Sequence, residues 1–587
     1  MRYSGARLLV VAAICAGFAV VARAEDSASA PTEAEPWRWQ DVERVVAFGD
    51  VHGAYIALKK LLTAAQVLDD DGHWRGGQSH LVSLGDILDR GPDSRRVLDL
   101  LRRLQTEALA AGGRVHLVLG NHELMNLTGD LRYVSAAEWQ AFADVDGESA
   151  TSPAVSREQP PGYFGLRAAF APGGTYGDWL LAQPAVIVIN DDAFVHGGLS
   201  TDIVTYGGLR LNQTLVRELP QLVGYGNELI ARGVLPFDAD FLQADRLASS
   251  DSEAPDDSVV KLKELAGNPI YGAQGPFWYR GNSLCHPLLE QDGLRRTLAS
   301  LEVERVVVGH SPTRSLKPTS RLAGRVMMLD TGMLASHYRG KGHALIIEGD
   351  VETIVDEDGN RTAAIASGPL VNPPGMSDTF LEGLLTNATH QLLDEEASLY
   401  QLAHEGQRLR VRFVPGSARA NDLEVAAYRL DRLLGLDMVP VTVVRKVGGK
   451  NGVFILERSN WISEATRTAT NQVRPNWCHS GHAYSLVTAF DSLIHNVGRT
   501  AETFWHDPVT WRIRLTHHDR AFGTTRRLAP LEEPPHLPDA LRRALAALSR
   551  DLLDATLESL ISKRQARAML GRRDMMLRDW PRLEETQ

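Results

Sequence analysis

GDVHGAYIAL (residues 49–58) follows the apolar run RVVAF (44–48), and the junction between the two decides how the first half of the chain reads. A run with no polar residue after Arg44 suits a strand covered on both faces. It stops at Gly-Asp-Val-His-Gly, which sets Asp50 and His52 close together at the strand's mouth. Beyond it Ile56, Leu58, Leu61, Leu62 and Ala65 recur at helical spacing. The arrangement then repeats. HLVSL (80–84) runs into GDILDRGPDS (85–94), RVHLVL (114–119) into GNHE (120–123), AVIVI (185–189) precedes HGG (196–198), and RVVVG (305–309) ends at His310. RVMML (325–329) and HALIIE (343–348) add two strands. The expectation is a layered α/β domain over residues 44–350. Each polar cluster falls at the carboxyl end of a strand, where loops converge on rigid supports.

Asp50, His52, Asp86, Asn121, His196 and His310 combine carboxylate and amide oxygens with imidazoles and include no thiolate. That donor set suits Mn, Fe or Zn in an open site, whereas a closed structural zinc site draws on Cys and His. Asp86 falls midway in sequence between Asp50 and Asn121 and is suited to bridge two ions. Two ions about 3.5–4 Å apart clamp the oxygens of an in-line phosphoryl displacement and generate hydroxide near neutral pH. One such residue alone reads as a turn or a buried imidazole; five ordered clusters read as a site.

The remaining bounds come from length, charge and cysteine. A chain of 587 residues, 44% hydrophobic and 23% charged, is an ordinary globular composition spread over more than one domain. Arg2 and Arg7 precede LLVVAAICAGFAVV, and ARA (22–24) precedes Glu25 and Asp26, the pattern of a cleaved secretory signal over residues 1–24. Its apolar run of about 14 residues is short of the roughly 20 that span a bilayer, and no later run is longer. The expected location is periplasmic or secreted, with residues 25–43 as a tether. Loss of residues 1–24 removes three arginines and no acid, leaving 59 basic against 73 acidic residues. That balance argues against a nucleic-acid partner. Cys285 and Cys478 remain, and the sequence leaves their pairing open.

The order GDxHG, GDxxDRG, GNHE, HGG, GH resembles the calcineurin-like metallophosphoesterases. GDILDRG with GNHE is similar to the phosphoprotein phosphatase family, and GNHELMNLTGDLRYV (120–134) with GPFWYRG (275–281) to its bacterial, Shewanella-like branch. The resemblance implies an αββα sandwich holding two divalent metal ions. By the same likeness Asp50, His52 and Asp86 would hold one ion, and Asp86, Asn121, His196 and His310 the other. His122 would protonate the leaving alkoxide, oriented by Asp89, while Arg90, Arg280 and Asn121 would bind the substrate phosphate. The implied reaction is hydrolysis of phosphomonoesters, chiefly phosphoprotein Ser/Thr or Tyr phosphate, by direct attack of a metal-bridging hydroxide. Dinucleotide tetraphosphatases share these metal motifs, so a hydrolase of nucleotides or other small phosphoesters stays open. So does a non-catalytic phosphate-binding sensor. The loops 150–162 and 248–258 and the stretch 205–262 carry no readable motif.

Residues 351–376 read as an interdomain linker and 377–587 as a second, α+β domain. Residues 421–457 give a helix, a Pro-containing turn and a hairpin around Gly448, Gly449 and Gly452. With FDSLIHNVGR (490–499) and RLTHHDRAFG (514–523), they resemble the kinase-like domains of phosphoinositide and secretory-pathway kinases. Glu424 matches the helix Glu and Asp519 the metal-binding Asp. Val414, Gly498, Thr500 and Thr503 stand where the likeness calls for the strand Lys and for the Asp, His and Asn of the catalytic loop. Phosphoryl transfer needs a positioned base and metal-bridged phosphates, so the expectation is a pseudokinase.

Overall fold

The computed structural model describes residues 37–145, 159–243, 256–404, 406–457, 460–473, 477–478 and 480–583. The expected signal (1–24) and most of the two polar loops lie outside the described residues. The first domain's strands are β1 (Arg38–Trp39), β2 (Arg44–Phe48), β3 (His80–Ser83), β4 (Arg114–Leu117), β5 (Val186–Ile189), β6 (Asp192–Val195), β7 (Arg305–Val308), β8 (Thr319–Arg321), β9 (Val326–Met328), β10 (His343–Glu348), β11 (Val351–Asp356), β12 (Arg361–Thr362) and β13 (Ile365–Ala366). They form a six-stranded sheet, β12-β11-β10-β2-β3-β4, and a seven-stranded sheet, β1-β5-β6-β7-β9-β8-β13.

Side-chain alternation explains why the strands are apolar throughout. Val45 and Ala47 of β2 enter a layer shared with Val82, Ile187, Phe194, Val307 and Met327, so the two sheets face one another. Val46 and Phe48 point the other way, into a core with Leu58, Leu62, Leu98 and Leu101 of the covering helices Tyr55–Ala64 and Ser94–Ala110. β2, β3 and β4 run parallel in one sheet, and β6, β7 and β9 in the other. Helices Leu211–Ala231 and Asp257–Ala266 occupy the stretch without readable motifs.

Three sequence expectations need correction. HGG follows β6, not the AVIVI strand: β6 pairs antiparallel with β5 in a hairpin, and its polar start, Asp192, hid it from an apolar-run reading. Residues 351–366, read as linker, carry β11 and β12 on the edge of one sheet and β13 on the edge of the other. Within the 25–43 tether, β1 pairs parallel with β5, so the described part of that segment is a sheet edge. Edge strands are short and half exposed, which leaves a weak pattern.

The second domain has a wholly antiparallel sheet in the order β14 (Thr389–Asp394), β15 (Leu399–His404), β16 (Gln407–Pro415), β18 (Lys450–Glu457), β17 (Thr442–Val447). Helix Ala418–Leu433 packs on it. Helices Ser480–Ile494 and Lys563–Asp579 follow. The domains meet along helix Pro287–Ser300: Leu288 joins the second core, His286 Nε2–H donates to Leu436 O at 2.6 Å, and Arg543 pairs with Asp292 at 2.6 Å. Cys285 and Cys478 form a disulfide across this boundary.

On β3 and β4, His80 Nδ1 and His116 Nε2 lie 3.1 Å apart, with the Trp39 ring 4.3 Å from that of His116. Burial, with Arg114 nearby, pushes His116 down to about 3 and His80 down to about 4. The unfolded chain therefore binds more protons than the fold from about pH 6.5 downward, and stability falls with pH across that window. Urea midpoints measured from pH 7 to 4 should drop in the wild type and drop less steeply in His116→Leu.

Candidate active site

Every candidate ligand stands at the carboxyl end of a parallel strand: Asp50 and His52 after β2, Asp86 after β3, Asn121 after β4, His196 after β6 and His310 after β7. Both sheets present these ends at one edge, so segments hundreds of residues apart converge. The turns are tight and unusual. His52, Asp86, Asp89, Arg90 and His310 all have positive φ, between 47° and 68°. Such backbone is costly in non-glycine residues and persists where the surroundings over-determine it. The glycines beside the ligands have a packing reason: a Cβ on Gly309 would stand 2.5 Å from Asp50 Oδ1, and one on Gly120 2.3 Å from Asp86 Oδ1.

The imidazoles are oriented from behind. His52 Nδ1–H donates to Leu88 O at 2.8 Å and His196 Nδ1–H to Leu84 O at 2.7 Å, which turns both Nε2 lone pairs inward. His196 Nε2 then lies 3.0 Å from Asn121 Oδ1, 3.1 Å from His310 Nδ1 and 3.2 Å from Asp86 Oδ1. One shared proton would satisfy a single contact of the three; a metal ion satisfies all of them, so the donor set fits a divalent cation. Two buried trios, His52/Asp86/His122 and Asp86/His196/His310, each bring one donor atom per residue within 4.8 Å of the others. Asp86 belongs to both. Asp50 joins them, with Oδ2 4.0 Å from His52 Nε2 and Oδ1 accepting from His310 N at 2.9 Å.

Burial would raise the Asp86 carboxyl, but the facing His196 and His122 hold it well below the usual carboxylate range. Asp50 moves the other way, pushed up by burial and by Asp330 and Asp86. Burial lowers His52 and His310, keeping them neutral donors. His122 differs: burial opposes its charge, yet Asp86 and Asp89 together raise it above the ordinary value. Its Nδ1–H donates to Asp89 Oδ2 at 2.5 Å, and Asn126 Nδ2 donates to Asp89 Oδ1 at 3.0 Å. His122 Nε2 is left facing the centre, 3.8 Å from Asp86 Oδ2.

Arg90 contacts His52 Nε2 and the Tyr338 hydroxyl, its guanidinium 5.3 Å from the Tyr133 ring and 5.6 Å from that of Tyr338. Arg280 enters from the other side and donates to His310 O at 2.9 Å and Ser311 Oγ at 3.0 Å. All the sequence-predicted residues of the first domain are thus brought together. Sequence reasoning missed Glu123, Asn126, Tyr133, Asp330 and Tyr338. Glu123 was legible in GNHE, Asn126 lies one helical turn past His122, Tyr133 falls within GNHELMNLTGDLRYV, and Asp330 follows β9; Tyr338 left no signal.

A model of the family described as calcineurin-like phosphoesterase matches residues 43–314. An uncharacterized protein of Schizosaccharomyces pombe is 30% identical over 321 residues, an alignment covering 53% of this chain and 80% of that protein. The chain belongs to the calcineurin-like phosphoesterases. It is therefore a hydrolase, of a family that works with divalent metals. Shewanella-like protein phosphatase 2 of Arabidopsis thaliana is 32% identical over 201 residues, covering 30% of this chain and 51% of that protein. The chain thus spans about half the length of the Arabidopsis relative. A solved cold-active protein-tyrosine phosphatase from a psychrophilic Shewanella species shares 27% identity, with a TM-score of 0.40 over 56% of this chain and 82% of that one. None of these matches identifies the second domain.

Glu123 underlies this phosphoesterase site: its carboxylate accepts from Asp86 N, Ile87 N and Gly120 N at 2.8–2.9 Å. Removing it leaves three buried donors unpaired, and Glu123→Ala should lose about 2–4 kcal/mol of stability, read from urea midpoints.

Proposed function

We propose that the chain is an exported, two-metal phosphatase that hydrolyses phosphomonoesters, chiefly phosphoprotein Ser/Thr or Tyr phosphate. The observation carrying this reading is the pair of trios joined at Asp86, with the His122–Asp89 couple beside them. In this reading Asp50, His52 and Asp86 hold one ion and Asp86, Asn121, His196 and His310 the other, with Mn, Fe or Zn suited to the donors. Bound there, the ions would supply Lewis acidity and lower the pKa of water to give hydroxide. The chain's own groups do the rest. Arg90 and Arg280 grip the phosphate oxygens, which their planar forks match, with Asn121 beside them. His122, whose protonated form Asp86 and Asp89 favour, presents Nε2–H toward the leaving oxygen, while Asp89 fixes its orientation.

A protein substrate is supported by the likeness to a relative named a protein phosphatase. The acidic balance of the chain disfavours nucleic acid, and among the described residues no helix is long and apolar enough to cross a membrane. Export is supported by the pattern of residues 1–24.

The second domain, in our reading, is kinase-like and non-catalytic. Glu424 accepts from His518 N at 2.8 Å and faces His518 Nδ1 at 3.3 Å, where an active site would pair it with a lysine. Val414 lies on β16 opposite Val453, and Asp519 is half exposed, its carboxylate 4.0 Å from Arg520. Between Gly498 and Thr500, Arg499 binds Asp491 at 2.8 and 2.9 Å and the carbonyls of Thr503 and Thr516 at 3.0 and 2.6 Å. A structural arginine thus braces the loop that would supply the base.

The mature chain loaded with Mn²⁺ should release phosphate from phosphoserine or phosphotyrosine peptides. Turnover of a dinucleotide polyphosphate alone would support the small-phosphoester reading instead. Mn²⁺ should raise the unfolding temperature of the wild type, by about 2.7 kcal/mol of added stability at a hundred times its dissociation constant, and not of Asp86→Asn. Asp89→Asn should lower kcat about 10²–10⁴-fold. Because the Asp89 charge raises His122, the alkaline fall of kcat should move to lower pH in that variant.

A further inference from the structure

Arg280 is held from two directions. Inside, the short helix Gly281–Leu284 that begins at Arg280 is pinned by Asn282, whose Oδ1 accepts from Leu199 N at 2.7 Å, three residues after His196. Outside, the helix ends at Cys285, whose carbonyl accepts from Arg321 Nη2 at 2.8 Å and whose sulfur is bonded to Cys478 of the second domain. The residue before Cys478 is Trp477. Its indole ring lies 5.6 Å from Cζ of Arg280, and its carbonyl oxygen is 3.4 Å from Cys285 Sγ. The face of an indole attracts a guanidinium at this distance, and more strongly where water is excluded. Arg280 is part-buried, so its charge is costly where it stands, and the ring offsets part of that cost without occupying a hydrogen-bond donor. Nη1 is committed to His310 O and Ser311 Oγ, so the ring steers the guanidinium without competing with them.

We propose that Trp477, carried by the second domain and tied beside Arg280 by the Cys285–Cys478 disulfide, is a positioning residue for that arginine. The second domain thereby completes the phosphate-gripping wall of the first. This rests on the reading of Arg280 as a phosphate ligand given above. The disulfide acts as the tether: it fixes Trp477 to the C-terminal end of the helix that Arg280 begins, so the ring and the guanidinium move as one unit. A phosphate arriving at the site meets an arginine whose orientation is already set, and the gain is in ground-state and transition-state binding alike.

The test uses the full mature chain loaded with Mn²⁺, with p-nitrophenyl phosphate as substrate and inorganic phosphate as inhibitor. Trp477→Ala and Trp477→Leu should each raise KM and the phosphate inhibition constant about 5- to 20-fold with kcat within about twofold. Trp477→Phe, which keeps a ring, should stay within about threefold of the wild type. Cys478→Ser should shift KM in the same direction as Trp477→Ala. In an Arg280→Ala background, Trp477→Ala should add nothing, because two residues acting as one unit are not additive. Wild-type KM in Trp477→Leu, or an undiminished Trp477 effect without Arg280, overturns the proposal. Wild-type KM in Cys478→Ser overturns the tether. Arg280→Ala with unchanged KM and phosphate inhibition overturns instead the assignment of Arg280 on which the proposal stands.

Discussion

One carboxylate sets the terms for the rest of this molecule. Asp86 is buried and shared by both donor trios, and the imidazoles of His196, His122 and His52 that face it hold its carboxyl well below the usual range. A lone buried carboxylate in an apolar sandwich would take up a proton. The fold meets this demand by bringing the parallel strands of two sheets to one edge, so that imidazoles from β6 and from the β4 turn arrive on opposite sides of the same group. Glu123 then ties the Asp86 backbone and the start of helix Asn121–Thr128 to one anchor. Position and charge at the centre thus have separate supports.

Most of the first domain was legible because its central strands are covered on both faces and so read as uninterrupted apolar runs. RVVAF and HALIIE match β2 and β10 end to end. What escaped notice was structure without that signature. β6 begins with a polar residue and turns back on β5, while β1, β12 and β13 are two-residue edges. The ligands were legible for another reason: each motif pairs a glycine that the crowded turn requires with the donor beside it. The role of Tyr133, within a quoted motif, and the presence of Tyr338 escaped because flanking an arginine with rings needs only nearness in space, which has no spacing in sequence.

The second domain shows the reverse balance. Its α+β elements followed from helix and hairpin patterns, and helix Ala418–Leu433 with the β17–β18 hairpin appear where residues 421–457 suggested. Its chemistry did not follow. Arg499, unremarkable in sequence, gathers Asp491, Thr503 and Thr516 around itself, and Glu424 finds a histidine as its partner. Motif likeness does not say which partners a residue takes; packing does.

Asp50, His52, Asp86 and Asn121 follow strands of one sheet and His196 and His310 strands of the other, so the donor set is complete only when both sheets are closed. A chain still unfolding or refolding therefore has fragments of the donor set but no site. Metal capture is then a late event, coupled to final closure and not to any local element. The metals present where the chain closes would then bear on which ion it acquires. Divalent affinities rank in the same order for most oxygen and nitrogen sites, so availability would act alongside this carboxylate, amide and imidazole donor set in deciding the ion.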